Sequence, residues 1–286
     1  MPSLIDLRRR IRSVKSTQQI TKAMKMVSAA KLRRAQDRVI SARPYAASLR
    51  EMLSSVTAAA AGIEGVKEHP LLARRKEERV LLLLMTSDRG LAGAFNSNLI
   101  RAAQHFLDER RELSVQIEAL GRKGRDYFRR RHAATSEQFL GIFNKTLYSD
   151  AAAVAGSVIS RYEAAEVDAV YVICNEFRSV LSQKLTLSRL LPLELPQQNG
   201  GVEYIFEQPP QQLLGVLLPR YVEIQIYQAV LESAAAEHAA RMTAMEAATT
   251  NATDVIDRLT LHMNRVRQAS ITKEIIEIVS GAAALE

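Results

Sequence analysis

The chain has 286 residues, 47% of them hydrophobic, with no Trp and a formal net charge of +8. That length suits one or two domains with a packed core. The single Cys174 excludes an internal disulfide and any CxxC metal or redox motif, and no apolar run approaches the ~20 residues needed to span a bilayer as a helix.

The charge is concentrated at one end. Residues 1–50 hold thirteen Lys or Arg against Asp6 and Asp37, a balance of +11, and the other 236 residues carry −3. An Arg-rich, acid-poor start is also the composition of a transit peptide, but the hydrophobic pattern argues for structure. Counting in alternating steps of three and four from Leu4 to Val56, twelve of sixteen positions are apolar, and the four polar ones (Gln18, Thr21, Lys25, Ser28) are consecutive. A heptad running unbroken through the basic band predicts a coiled-coil helix over 1–58 rather than a removable leader.

Residues 59–78 read as a linker. Residues 79–207 alternate strand and helix. The strands are 79–87 (RVLLLLMTS), 113–121 and 167–177; the helices are 97–112, 122–132 and 149–166. Residues 181–193 add an edge strand. This pattern predicts a small, Rossmann-like α/β domain with a largely parallel sheet. The loop "SDRGLAGAFN" at 87–96 joins a strand to a helix N-terminus, as phosphate cradles do. It matches neither G-x-G-x-x-G nor G-x-x-x-x-G-K-[ST]. Gly90 and Gly93 are expected to form a tight turn, with Asp88 or Asn96 capping the following helix. The histidines at 69, 105, 132, 238 and 262 lack ligand spacing, and no nucleophile–base set stands out. No catalytic residue, cofactor or metal is expected.

A second heptad series runs from Leu214 to Val266, with thirteen of sixteen positions apolar or aromatic. It places a C-terminal helix over 208–286. With a globular insert between the two seams, an antiparallel left-handed coiled coil is the natural pairing; a parallel homodimer is the alternative. The C-terminal helix, roughly 75 residues or ~110 Å, outruns its partner of about 55. The overhang from about 267 to 286 carries Ile271, Ile275, Ile276, Ile278, Val279 and Leu285. An isolated helix with that apolar set needs another protein around it. The fold class expected is thus mixed α+β: two terminal coiled-coil helices with an inserted α/β domain and a single-helix tip.

The stretches "QQITKAMKMVSAAKLRRAQDRVISARPYA" at 18–46, "SDRGLAGAFNSNL" at 87–99 and "RQASITKEIIEIVSGAAAL" at 267–285 resemble the gamma subunits of F-type ATP synthases, over nearly the whole chain. The resemblance implies the central stalk of a rotary motor, non-catalytic itself, which couples ion-driven rotation of a membrane c-ring to the catalytic sites of a hexamer of alpha and beta subunits. It implies that Arg267, Gln268, Ser270 and Thr272 hold a catalytic-subunit loop. Met24, Lys25, Arg8, Arg9, Lys31 and Arg33 would face loops of the stator ring. Ile275, Ile276, Val279 and Leu285 would sit in an apical bearing. Tyr204, Ile205, Phe206 and Glu207 would meet the c-ring or a small epsilon-type subunit. The corresponding location is peripheral, on the cytoplasmic face of a bacterial inner membrane, with no transmembrane segment of its own. Two other classes fit parts of the sequence: a basic coiled-coil nucleic-acid-binding protein and an α/β nucleotide-binding enzyme. Against the first, the heptad runs through the basic band, whereas zipper factors place the basic segment before the seam; the second rests on the 87–95 loop, which lacks a phosphate-binding motif. An ordinary structural coiled coil explains the two ends but not the apolar overhang.

Overall fold

A computed structural model describes residues 3–59, 69–131, 135–136, 139–180, 182–194 and 208–283. The chain divides into two compact units. A helical unit takes in residues 1–28 and 242–286, and a sheet unit takes in residues 29–241.

Two long helices contribute to both units: α1, Leu4–Ala59, and α6, Pro210–Ala283. Every position of both heptad series is buried or half-buried, from Leu4 to Val56 and from Leu214 to Val266. The 3.5-residue spacing holds one stripe of each helix inward, as it does in a coiled coil. Beyond Val266 all described side chains but Ser270 are exposed. Each long helix carries an internal proline, Pro44 and Pro219, which removes one i to i−4 bond.

In the helical unit, Gln18 pairs with Thr253, Thr21 with Thr249 and Lys25 with Glu246. One number rises as the other falls, so the helices are antiparallel. In the sheet unit, Tyr45 hydrogen-bonds with Arg220 and the Lys31 charge acts on Glu237, so the same direction holds there.

The sheet has five strands in the order β3-β2-β1-β4-β5. They are β1 Arg79–Leu84, β2 Ser114–Ala119, β3 Thr135–Ser136, β4 Ala169–Phe177 and β5 Gln183–Leu191. All pairings are parallel except β4 with the edge strand β5, which is antiparallel. The helices α2 (Phe95–Glu109), α3 (Arg122–Arg129), α4 (Ile142–Lys145) and α5 (Tyr148–Glu163) connect them, so the mixed α+β class holds.

The pleat explains the layers. Leu81, Leu83 and Met85 point to one face, where they pack with Leu53 and Val56 of α1, Val154 and Val158 of α5, and Leu218 and Val222 of α6. Val80, Leu82 and Leu84 point to the other, against Leu99, Phe106 and Phe128 of α2 and α3. With both faces covered, β1 reads as a continuous apolar run. Full burial of a side chain such as Leu53 stabilises the fold by about 1.5–3 kcal/mol.

Candidate functional site

The loop between β1 and α2 was the place in the sequence most like a ligand site, and its geometry points elsewhere. Gly93 takes left-handed backbone (φ 55°), and so does Leu91 (φ 62°), whereas Gly90 does not. Neither Asp88 nor Asn96 caps α2, whose N-cap is Ala94 without a side-chain bond. Asn96 lies inside the first turn and reaches back: its Oδ1 accepts from the Ser87 backbone N–H at 3.0 Å, and its Nδ2 donates to Ser87 Oγ at 2.8 Å. Asp88 serves the other helix at this end of the sheet, Oδ1 accepting from Arg122 N at the start of α3.

The ends of β1 and β2 meet closely. Thr86 Oγ1 accepts from Gly124 N at 2.9 Å and donates to Gly121 O at 3.2 Å. A Cβ at Gly121 would lie 2.0 Å from the Thr86 carbonyl oxygen, so glycine is required there by approach rather than by φ.

A residue of α6 then closes the loop. Arg241, buried, donates to the carbonyls of Arg89 and Gly90 at 3.2–3.4 Å and pairs with buried Glu237 at 2.8 Å. The loop thus presents carbonyl oxygens to a guanidinium of the same chain. Burial raises the Glu237 pKa, and Arg241 opposes that shift. His238 beside it is pushed down to about 4, first by burial and then by the charges of Arg241 and Lys31, which keeps its imidazole neutral at pH 7. This network has no signature in the sequence, because charges at i and i+4 on a helix usually mark a solvated face.

The helical unit carries most of the positions implicated by the motifs. Gln18 Nε2 donates to Thr253 Oγ1 at 2.7 Å, the Thr21 and Thr249 hydroxyls lie 2.8 Å apart, and Lys25 Nζ meets Glu246 Oε1 at 2.6 Å. The four polar seam positions therefore form a layer that pairs across the two helices, apart from Ser28, which is buried. Such a layer fixes register at some cost in stability. Met24 is half-buried next to Lys25, while Arg8 and Arg9 project into solvent. Lys31 and Arg33 are also exposed but belong to the sheet unit.

Past the seam, Arg267 and Gln268 are exposed. Ser270 Oγ donates to Glu274 Oε1 at 3.2 Å, and Thr272 Oγ1 donates to the Gln268 carbonyl at 2.9 Å. Ile271, Ile275, Ile276, Ile278 and Val279 are 49–71% exposed. At 100° per residue they occupy about half the helix circumference, opposite the Lys273–Glu277 pair. Tyr204, Ile205, Phe206, Glu207 and Leu285 lie outside the described residues.

This combination of a paired seam, an unpaired apolar tip and a five-stranded sheet between the two long helices in sequence has counterparts. A family model described as ATP synthase matches residues 3–285. An ATP synthase gamma chain from Solibacter usitatus is 63% identical, with all of both chains covered.

The chain belongs to the ATP synthase gamma chain family.

A second relative of that name, from Pelotomaculum thermopropionicum, is 53% identical, again across the full length of both chains. Among solved structures, the central stalk and c-ring of the Tetrahymena thermophila mitochondrial ATP synthase contains a chain 27% identical, with TM-score 0.61, covering 80% of this chain and 99% of that one. A chain of the Euglena gracilis enzyme in rotational state 3 has TM-score 0.67 at 20% identity, covering 99% of this chain and 94% of that one; it supports the fold. Gamma chains are not the catalytic subunits of the synthase. Membership therefore disfavours both the nucleic-acid reading and the α/β enzyme reading. No described helix is long and apolar enough to cross a membrane.

Proposed function

We propose that the chain is the central stalk of an ion-driven rotary ATP synthase. It would couple rotation of a membrane c-ring to conformational cycling of the catalytic sites in an alpha–beta hexamer, without catalysing the reaction itself. The observation that carries this reading is the end of α6: the seam stops at Val266, and the helix continues with five large apolar side chains in solvent. A lone helix exposing that set is completed by a surrounding protein.

The residue assignments follow from this reading. Arg267, Gln268, Ser270 and Thr272 engage a loop of a catalytic subunit, where a guanidinium forms bidentate, charge-assisted bonds to a carboxylate. Ile275, Ile276, Val279 and Leu285 turn in an apolar bearing. Arg8, Arg9, Met24, Lys25, Lys31 and Arg33 face acidic loops of the ring. Tyr204, Ile205, Phe206 and Glu207 contact the c-ring or an epsilon-type small subunit. The division of labour is a coiled-coil helix over 1–58, a linker over 59–78, an α/β foot over 79–207 and a second helix over 208–286, with its tip from about 267. The stalk works as a peripheral subunit on the cytoplasmic face of a bacterial inner membrane.

Affinity purification of the tagged full chain tests the proposal. The expected result is co-elution with a nucleotide-hydrolysing hexamer, together with rotation of the chain relative to that hexamer during ATP turnover. Elution free of alpha and beta subunits overturns it.

A further inference from the structure

On the α2 side of the sheet, cover stops short of the edge. α2 lies over β1 and β4, and the strand beyond, β5, exposes the same face: Leu187 is 43% exposed and Leu185 half-buried. Between them runs a trough of about 460 Å³. One wall is a single helical stripe, Asn98, Arg101, Ala102 and His105, at i, i+3, i+4 and i+7. The floor is Phe106, Ile173, Leu185 and Leu187. Ile173 pairs with Leu187 across the β4–β5 ladder, so both side chains rise from the same face of the pleat. A further helix of an α/β layer would lie in this position.

The trough is electropositive where it is free. Arg101 is exposed at one end and carries no ion pair among the described residues. At the other end Arg110 stacks 4.1 Å over Phe106, and Arg189 pairs with Glu77. The one carboxylate in the wall, Glu109, is already shared between His105 Nδ1 at 3.2 Å and Arg110 at 3.3 Å. An incoming carboxylate therefore finds an unpaired guanidinium at the Arg101 end, whereas an incoming cation finds only an occupied acid.

We propose that this trough is a docking groove for an amphipathic helix of another protein, apolar on one stripe and flanked by Asp or Glu. The floor is the face of the sheet beside a parallel helical wall, which suits ridge-into-groove packing of a second helix. A partner strand would instead use the backbone edge of β5, at right angles to Leu187. The apolar floor is narrow, so the docking is reversible and its rate is set by charge. The inference stands apart from the stalk reading: none of its residues belongs to the tip, the seam or the basic band.

A photo-crosslinking amino acid placed at Leu187 of the full chain, in cells that make its native assembly, tests the groove. Ser188, which the pleat points to the opposite face, is the control position. The expected product joins Leu187 to one partner segment with apolar residues at helical spacing and acidic flanks. Arg101→Glu should lower its yield about tenfold, and added salt should lower it as well. Arg101→Lys should retain most of the yield, which separates charge from misfolding. Four outcomes overturn the proposal: capture of residues 195–207 of the same chain, capture of a second copy, capture of a segment lacking the helical acidic pattern, and a yield no higher than at Ser188.

Discussion

Arg241 of α6 and Gly90 of the β1–α2 loop are joined across 151 residues of sequence by a guanidinium–carbonyl bond, with Glu237 balancing the charge at 2.8 Å. Removing the arginine leaves a buried carboxylate and two carbonyls without their partner. Arg241→Ala should therefore destabilise the sheet unit by about 3–5 kcal/mol. Glu237→Gln, which keeps an acceptor for a guanidinium still held by the Arg89 and Gly90 carbonyls but removes its counter-charge, should cost less than that. Urea unfolding of the purified chain checks both. Equal losses for the two variants would show that the pair acts through packing alone.

His238 gives the sheet unit a pH dependence. Its folded pKa is pushed down to about 4, chiefly by burial, with Arg241 and Lys31 adding to the shift. The unfolded chain binds the proton near 6.5, so stability is full above that value and is lost as pH falls from about 6.5 toward 4. The loss reaches about 3 kcal/mol at the lower end. Thermal melts across this range should show His238→Gln with a flatter profile than the unmodified chain. Parallel profiles would remove the histidine from the account.

Gly121 is the tightest point of the sheet's loop end. Its φ of −173° is open to any residue, so an alanine there fails on contact with the Thr86 carbonyl rather than on backbone conformation. Either β1 and β2 part at their ends or the Thr86–Gly124 bond breaks. Gly121→Ala should cost about 1–3 kcal/mol, the range of an overpacked core. Gly156→Ala, with nothing within 4 Å of the added carbon, should be neutral or stabilising in its helix. A denaturation series that ranks the two the other way would contradict this geometry.

The long elements were legible because periodicity alone carries them. The heptads from Leu4 and Leu214 predicted which face of each long helix turns inward, and the run at 80–85 predicted a strand covered on both sides. The loop at 87–96 departs from its sequence pattern in detail. Asp88 and Asn96 sit at cap-like distances from α2 in sequence, yet Asp88 caps α3 and Asn96 ties back to Ser87. Those choices depend on where β2 ends in space, which local sequence does not encode. Arg241 and Glu237 were hidden for the same reason: their spacing is that of a solvated pair, and their burial comes from the loop that docks on them. The polar seam residues were visible, but the partners Thr253, Thr249 and Glu246 needed the antiparallel register.

Lys25 and Glu246 close that register with a partly exposed pair. Pairs of this kind contribute about 0–1 kcal/mol. Lys25→Ala should therefore lower the stability of the helical unit by less than about 1 kcal/mol, with the difference shrinking at high salt. The charge-swapped double variant, Lys25→Glu with Glu246→Lys, should recover most of the loss. A larger cost that the swap leaves unrepaired would assign Lys25 a role in packing through its aliphatic stem.

Arg267 and Gln268 stand at the first turn after the seam, both exposed, on the helix that continues alone. Under the stalk proposal they hold a loop of a catalytic subunit, the arginine through charge-assisted bonds and the glutamine through its amide. Each lost charge-assisted bond is worth about 1.5–3 kcal/mol. The double variant Arg267→Ala, Gln268→Ala should assemble normally, since neither side chain lies in the seam or the sheet core. Its ATP synthesis and hydrolysis should fall by about tenfold or more, because 1.4 kcal/mol off a coupled step is a factor of ten. Turnover and proton pumping by the purified complex, measured beside subunit stoichiometry, decide the matter. Unchanged synthesis, hydrolysis and pumping in a fully assembled double variant would leave the two residues as ordinary helix surface. A complex that fails to assemble would move their role from torque transfer to the building of the interface.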